Sequence, residues 1–204
     1  MSHGPSWKGV PVAETGGLIA IMGGLLCLLV VGVLAWLIMT YNRLVRLRNQ
    51  VAASWAQIDV QLKRRADLIP NLVETVKGYA AHESATLAAV TAARTGVVAA
   101  AGAEPAARAQ AENALTQSLG RLFAVAEAYP DLKASQNFAA LQAELATTEN
   151  KIAYARQFYN SAVQTHNNAG QTFPTMLIAG LAGFRAREFF ETAEGERGPV
   201  QVRF

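Results

Sequence analysis

The sequence predicts an all-α protein, in which an N-terminal transmembrane helix is followed by an antiparallel, coiled-coil-like bundle of long helices. Three observations support this prediction. Residues 18–40 are almost wholly apolar. Through most of the remaining chain, apolar residues recur every three or four positions, as on one face of a helix. No stretch of useful length alternates between apolar and polar residues, so a sheet is not expected.

Residues 18–40 have the length and composition of a membrane span. They include 19 apolar residues among 23, and no charged residue occurs between Glu14 and Arg43. At about 1.5 Å per residue, such a helix crosses a hydrocarbon core of about 30 Å. Residues 1–17 contain a single basic residue, Lys8, which is atypical of a cleaved signal peptide. We therefore expect a short N-terminal tail over 1–17 and a retained single-pass anchor.

Basic residues follow the span on its C-terminal side. Arg43, Arg46 and Arg48 lie on this flank, whereas residues 1–40 are neutral. The positive-inside rule predicts an external N-terminus and a cytoplasmic bundle, and the three arginines are candidates for contacts with anionic headgroups. Residues 41–65 hold six basic residues against one acidic residue. The basic character of the chain is thus a collar beside the membrane, which argues against nucleic-acid binding.

A row of small residues lies along the span. Gly16, Ala20 and Gly24 repeat every four residues, and Gly32 lies two steps further. Such a row lets two membrane helices approach closely and predicts a homo-oligomer. The alternative is that glycine is simply common in membrane helices, and the sequence leaves both interpretations open.

The bundle is predicted over residues 41–170. One apolar seam runs from Val51 through Ala80, continues past Val90 and ends near Gly102. A second helix is expected over 105–129, and a third is marked by an unbroken repeat over 138–162 and ends at 167–170. Pro70 predicts a kink or short break in the first helix, because proline removes a helical hydrogen bond. Arg64 and Asp67 are three residues apart and are expected to pair on its surface.

Residues 171–204 are predicted to form an apolar segment and a tail. Positions 173–184 are largely apolar but too few to span a bilayer. Either this segment packs over the bundle, or it docks to the membrane or to a partner. The last residues, 195–204, are expected to be loosely ordered.

The sequence offers little catalytic chemistry. A lone cysteine, Cys27, excludes an intramolecular disulfide and a cysteine-based zinc site, and neither a zinc-protease motif nor a phosphate-binding loop is present. One polar row shares a face of the first helix: Asp67, Asn71, Glu74, Gly78 and His82. Three of its members, Asp67, Asn71 and His82, are predicted to face Glu149 and Asn150 on the third helix. We predict a protein that is not an enzyme and has no cofactor and no metal site.

Three blocks, at 41–79, 148–160 and 173–191, resemble the LemA family of bacterial membrane proteins. The most specific run is Arg-Arg-Ala-Asp-Leu-Ile-Pro-Asn-Leu at 64–72. The motif residues, with a structural or interaction role, are Tyr41, Asn42, Trp55, Arg64, Arg65, Asp67, Pro70, Asn71, Lys77, Tyr79, Glu149, Asn150, Tyr159, Asn160, Phe173, Pro174, Gly183, Phe184, Phe189 and Phe190.

The resemblance implies an anchored helical bundle in the bacterial cytoplasmic (inner) membrane, with no established enzymatic activity and no cofactor. The family includes a protein associated with magnetosome membranes, and its genes often lie beside a membrane zinc metalloprotease. The leading expectation is therefore a self-associating scaffold that organises or remodels membrane or membrane proteins. The alternative is an adaptor or regulator of a membrane metalloprotease in envelope quality control.

Overall fold

The computed structural model describes residues 12–191, together with the side chains from residue 17 onward except that of Ile19. Residues 1–11 of the predicted tail and the whole of 195–204 lie outside the described residues. Within them the chain is helical and has no strand, which confirms the all-α prediction. The helices are α1 (Val12–Lys77), α2 (Ser84–Ala99), α3 (Pro105–Ala126), α4 (Pro130–Lys133), α5 (Gln136–Gln171) and α6 (Thr175–Leu181).

A single helix, α1, joins the apolar N-terminal segment to the bundle. Its apolar part has a mean hydropathy of 2.7, and none of it is buried against the rest of the described chain. By length and composition, α1 is therefore able to cross a membrane. The first buried residue after this part is Thr40, and Leu44 is fully buried one turn later. No turn separates residue 40 from residue 51, because α1 continues from the apolar segment into the bundle.

The two longest helices run antiparallel. Trp55 contacts Tyr159, and Arg65 pairs with Glu149 ten residues further along α1 and ten residues back along α5. Residue numbers therefore rise along α1 as they fall along α5. The helices α2 and α3 form a second antiparallel pair, and α2 also packs on α1.

The first predicted helix is interrupted at a turn that the apolar pattern conceals. Residues 78–83 leave the helix, although Ala80 in the turn and Leu87 in α2 are both buried. The buried positions keep helical spacing across the turn, while Gly78 begins it because glycine has low helix propensity. The second helix likewise ends at Ala126, before the expected position 129, and Pro130 begins a four-residue helix. By contrast, α1 continues through Pro70 without a break.

Among the described residues the core contains three apolar clusters, and a layer of charge separates two of them. The distal cluster includes Ala66, Leu115 and Leu145, and the proximal cluster includes Leu62 and Ile152. Between these two clusters α1, α3 and α5 contribute polar or charged side chains instead of apolar ones. These are Arg65 on α1, Arg108 and Glu112 on α3, and Thr148 and Glu149 on α5.

Candidate functional site

The three sequence blocks meet where the membrane-proximal half of α1 is covered by α5 and the C-terminal segment. The ring of Trp55 lies 5.1 Å from that of Tyr159 and 5.5 Å from that of Phe190, between centroids. Phe190 and Tyr159 are buried. We call this aromatic cluster, with the segment 184–190 that runs over it, the junction. Each of the three blocks contributes one ring to this cluster, so the junction brings the blocks together.

Two asparagines on α5 hold the segment in place. The amide N–H of Phe190 donates to Asn160 Oδ1 at 2.9 Å, and Asn160 Nδ2 donates to the Phe190 carbonyl at 3.2 Å. Asn167 makes the same pair of bonds to Arg187, at 2.8 and 2.9 Å. Seven helical residues span about 10.5 Å, and three extended residues span about 10 Å. The two spacings match, so one strand-like segment satisfies both side chains.

Tyr159 adds a third bond between these two clamps. Its hydroxyl donates to the backbone carbonyl of Glu188 at 2.9 Å. Burial raises the pKa of Tyr159, which keeps the hydroxyl protonated and able to donate. From Arg187 to Phe190 the segment is thus held mainly by hydrogen bonds from α5 side chains to its backbone, and the Phe190 ring adds a side-chain contact.

A second contact joins the start of the bundle to the end of α6. The Phe184 ring lies edge-on to Tyr41, with centroids 5.9 Å apart, and the Arg48 guanidinium lies 5.6 Å from the same ring. The preceding residue, Gly183, has a φ of +72°, a conformation that favours glycine and often ends a helix. The amide of Phe184 reaches back to the carbonyl of Ala179 at 2.9 Å. Gly183 therefore sets the turn that brings Phe184 onto α1.

A groove of about 430 Å³ opens beside the junction. Its charged lining residues are two cations, Arg48 and Arg187, and two carboxylates, Glu104 and Glu188. Because two cations meet two carboxylates, the groove has no excess charge to select a charged ligand.

The charged layer inside the bundle is the second candidate site. Arg65 is only 3% exposed. It donates hydrogen bonds to Glu112 Oε2 at 2.5 Å and to Glu149 Oε2 at 2.6 Å. Arg108 Nε lies 3.3 Å from Glu112 Oε1, without hydrogen-bond geometry. Arg108 Nη1 instead donates to the Val97 carbonyl at 3.1 Å. A buried carboxylate is thus held between two arginines that belong to different helices.

Burial raises the pKa of the Glu112 carboxyl, and the adjacent Arg65 and Arg108 oppose this shift. A perturbed carboxyl is a feature of many catalytic sites. Here, however, the adjoining cavity has about 40 Å³, which accommodates a water molecule but no larger substrate. In addition, residues 12–191 contain no group of three or more His, Cys, Asp or Glu side chains that could hold a metal ion. The layer is suited to fixing helix register, the best-attested use of buried charge.

Several predicted contacts are replaced by others. The expected pairing of Arg64 with Asp67 is wrong, because Arg64 pairs with Glu144 on α5 and Asp67 with Lys63. The predicted polar row across from α5 is also wrong, because Glu149 binds Arg65 instead. The row is divided by the 78–83 turn, and all of its members are exposed: Asp67, Asn71, Glu74, Gly78 and His82.

The remaining motif residues lie on the surface. Phe173 is exposed, and Phe189 points away from the junction that its neighbour fills. Pro174, joined to Phe173 by a cis peptide bond, immediately precedes α6. The others are exposed positions of α1, the 78–83 turn and α5: Asn42, Pro70, Lys77, Tyr79 and Asn150.

The residues proposed for membrane contacts lie on α1. Gly16 is within the helix, and Ala20, Gly24 and Gly32 are exposed. Arg43 and Arg46 are exposed just past the span, whereas Arg48 stacks on Phe184. Lipid contact of the three arginines and self-association of the glycine row stay predictions.

Asn167, Arg108 and Glu112 were not among the functional residues predicted from the sequence. A usable signal exists for the last two, because 108, 112, 115, 119 and 122 continue one seam of helical period. Charged residues at positions where that seam requires apolar ones indicate a buried ion pair. For Asn167 no comparable signal exists, because its partner is a backbone twenty residues away.

Comparison with known proteins places the chain among related sequences. A profile described as LemA family matches residues 54–204. The chain is 27% identical over 195 residues to Magnetosome protein MamQ 1 of Paramagnetospirillum magneticum, covering 84% of this chain and 72% of that protein. Magnetosome protein MamQ of Magnetospirillum gryphiswaldense is 24% identical, with 90% and 76% covered. Protein LemA of Metamycoplasma hominis is 25% identical, with 79% and 73% covered.

Proposed function

This chain is a member of the LemA family, and we propose that it is a self-associating, membrane-anchored helical scaffold that organises membrane or membrane proteins without catalysing a reaction. The observation that supports this proposal is the continuity of α1. From Thr40 to Lys77 the helix extends unbroken, about 55 Å at 1.5 Å per residue. A partner bound to the bundle would be held at a fixed height above the bilayer, as a scaffold requires.

The side chains that the motifs bring together also favour a scaffold. At the junction, motif residues hold one part of the chain against another through asparagine clamps and ring contacts. In the charged layer, Glu112 is already paired with arginine, and the adjoining cavity has a volume of about 40 Å³. Neither place combines a nucleophile, a base and room for a substrate, which a catalytic site needs.

Two surfaces are available for association. On the span, a Cβ added at Gly24 or Gly32 would meet nothing within 4 Å in the chain itself, so a second helix could approach there. On the bundle, the exposed apolar side chains of Val60, Tyr154 and Phe158 line a groove of about 480 Å³ between α1 and α5. Apolar patches of this kind are typical of protein contacts.

We further propose the inner membrane, with the N-terminus outside and the bundle in the cytoplasm. Arg43 and Arg46 are exposed immediately after the span, where positive charge favours the cytoplasmic side. Protease treatment of spheroplasts and of inverted vesicles tests the orientation. Digestion of the bundle only in inverted vesicles is expected, and digestion in spheroplasts contradicts it.

Self-association is tested by energy transfer between differently labelled full-length chains in liposomes, measured as a function of the protein-to-lipid ratio. Gly24→Ile is expected to abolish the transfer, because a bulky side chain separates the helices. Gly23→Ile is the matched control: it introduces the same side chain about 100° around the helix, where a Cβ likewise meets nothing. A wild-type chain that stays monomeric at every ratio contradicts the proposal.

The scaffold and adaptor roles are distinguished by crosslinking in native membranes followed by mass spectrometry. A scaffold is expected to yield crosslinks between copies of this chain, with Tyr154 and Phe158 in or near the crosslinked surface. Crosslinks to a metalloprotease in place of any between copies would favour the adaptor role.

A further inference from the structure

The short helix α6 lies where the bundle meets the membrane. Its residues Ile178 and Ala179 pack against Leu44 of α1, and Phe184 after it contacts Tyr41. Leu44 is four residues past the end of the apolar segment, about 6 Å along the helix axis. A bilayer measures about 40–45 Å with its headgroups and about 30 Å without them. Each headgroup layer therefore extends far enough beyond the hydrocarbon core to include the level of Leu44, where α6 packs.

The other face of α6 is apolar and exposed. Leu177 is 56% exposed and Leu181 is 92% exposed, with Met176 beside them, and Phe173, two residues before the helix, is 76% exposed. No residue from 172 to 184 is charged. A helix that is apolar all around is typical of a protein core or a lipid environment, and the bundle covers only one side of this one.

Charge resumes directly beyond this apolar stretch. Arg185 and Arg187 follow it in the sequence and are exposed, and Arg43 and Arg46 lie on the adjacent turns of α1. Lys and Arg side chains around an apolar face are typical of helices that lie in the headgroup layer of anionic membranes. Glu188 is the first acidic residue after the stretch.

We propose that α6 is a second membrane contact, which lies in the interface of the same leaflet that α1 enters, with Phe173, Leu177 and Leu181 inserted among the lipids. The exposed face belongs to a helix that packs on Leu44, four residues past the span, and for this reason a bilayer is favoured over a protein partner. Two contacts, one spanning and one interfacial, fix the rotation of the bundle about α1 as well as its height. The proposal depends on membrane insertion of α1 and is independent of self-association.

The test uses the full-length chain with Cys27→Ser and one new cysteine, Leu181→Cys, labelled with an environment-sensitive fluorophore. The chain is reconstituted in phosphatidylcholine–phosphatidylglycerol liposomes whose acyl chains are brominated. Emission is expected to shift to shorter wavelength and to be quenched, and Leu177→Cys is expected to behave alike. The wild-type chain, labelled at Cys27 within the span, gives the reference for full quenching.

Val60→Cys is the matched control, because Val60 is also an exposed apolar residue, at 62%, but lies twenty residues past Thr40, about 30 Å along α1. Its label is expected to remain unquenched, because brominated acyl chains quench only a label that contacts lipid, whether or not a second copy covers the groove that Val60 lines. Helical circular dichroism verifies that each variant is folded. Unquenched label at both 177 and 181 overturns the proposal. If Leu181→Cys chains also form disulfide-linked dimers, the face is covered by a second copy instead; if they do not, it faces water.

Discussion

Arg94 of α2 donates a hydrogen bond from Nε to the carbonyl oxygen of Ala66 in α1, at 2.9 Å. In a regular helix this carbonyl would accept the N–H of the residue four positions later. That residue is Pro70, which has no N–H. Ala66 is buried, so an unpaired carbonyl there would be costly. The proline thus creates an acceptor on α1, and α2 uses it as a docking point.

This relationship predicts coupling between Pro70 and Arg94. Arg94→Met is expected to lower the free energy of unfolding by about 1.5–3 kcal/mol, the range for hydrogen bonds to charged groups. In a Pro70→Ala background the same substitution is expected to cost much less, because the alanine introduced there supplies the missing N–H. Urea-induced loss of helical circular dichroism of the full chain in nanodiscs gives all four corners of the double-mutant cycle.

Arg121→Met on the exposed face of α3 is the control for the cycle, and its cost is expected to be small and the same in both backgrounds. Additive effects of Pro70→Ala and Arg94→Met would contradict the docking role of the proline. In that case Arg94 would stabilise the bundle through the packing of its stem alone.

The asparagine clamps predict that the C-terminal segment can be released locally. Asn160→Ala removes both hydrogen bonds to Phe190, and we expect a local loss of about 1–3 kcal/mol, from two bonds of about 0.5–1.5 kcal/mol each. The Phe190 amide should exchange with solvent deuterium correspondingly faster. The Arg187 amide is held by Asn167 and should be affected less.

Asn150→Ala, at an exposed position of the same helix, is the matched control and should leave both amides unchanged. Unaltered protection of Phe190 in Asn160→Ala would show that the aromatic contacts with Trp55 suffice to hold the segment. The same measurement on Phe190→Ala then reports the aromatic contribution separately.

Helical periodicity predicted the bundle well because burial itself follows that period. Ile58, Leu62, Ile69 and Val76 on α1 lie in one seam and are all buried. The turn at 78–83 escaped because the chain reverses direction without interrupting the spacing of the buried residues. To predict such a turn one must know where the following helix packs, and periodicity does not specify this.

The contacts between blocks could not be predicted for a related reason. Arg64 and Arg65 are adjacent and chemically identical, yet one is exposed and the other is buried. Their roles depend on the rotation of α1 against α3 and α5, because a shift of one residue is a turn of about 100°. The clamp between Asn167 and Arg187 involves backbone groups, which every residue possesses, so no residue type marks it.

The contrast between the two arginines is itself testable. Arg65→Met leaves Glu112 and Glu149 without their nearest cation, and removal of one partner of a buried ion pair costs about 3–5 kcal/mol. Arg64→Met breaks a surface pair with Glu144, for which about 0–1 kcal/mol is expected. The two variants have the same composition, and urea unfolding in nanodiscs compares them directly. Equal losses would contradict the assignment of Arg65 to the charged layer.

Glu112 gives the bundle a pH dependence of defined sign. Burial raises the pKa of its carboxyl in the folded chain. A raised pKa means that the stabilising contribution of Glu112 is complete at acidic pH, below the pKa of the unfolded chain, and is lost as pH rises through the folded value. Glutamine resembles the protonated acid and does not titrate. The free energy of unfolding of wild type minus that of Glu112→Gln should therefore decrease as the pH is raised from acidic to neutral. A difference that instead grows with pH would show that Arg65 and Arg108 stabilise the carboxylate more than burial penalises it.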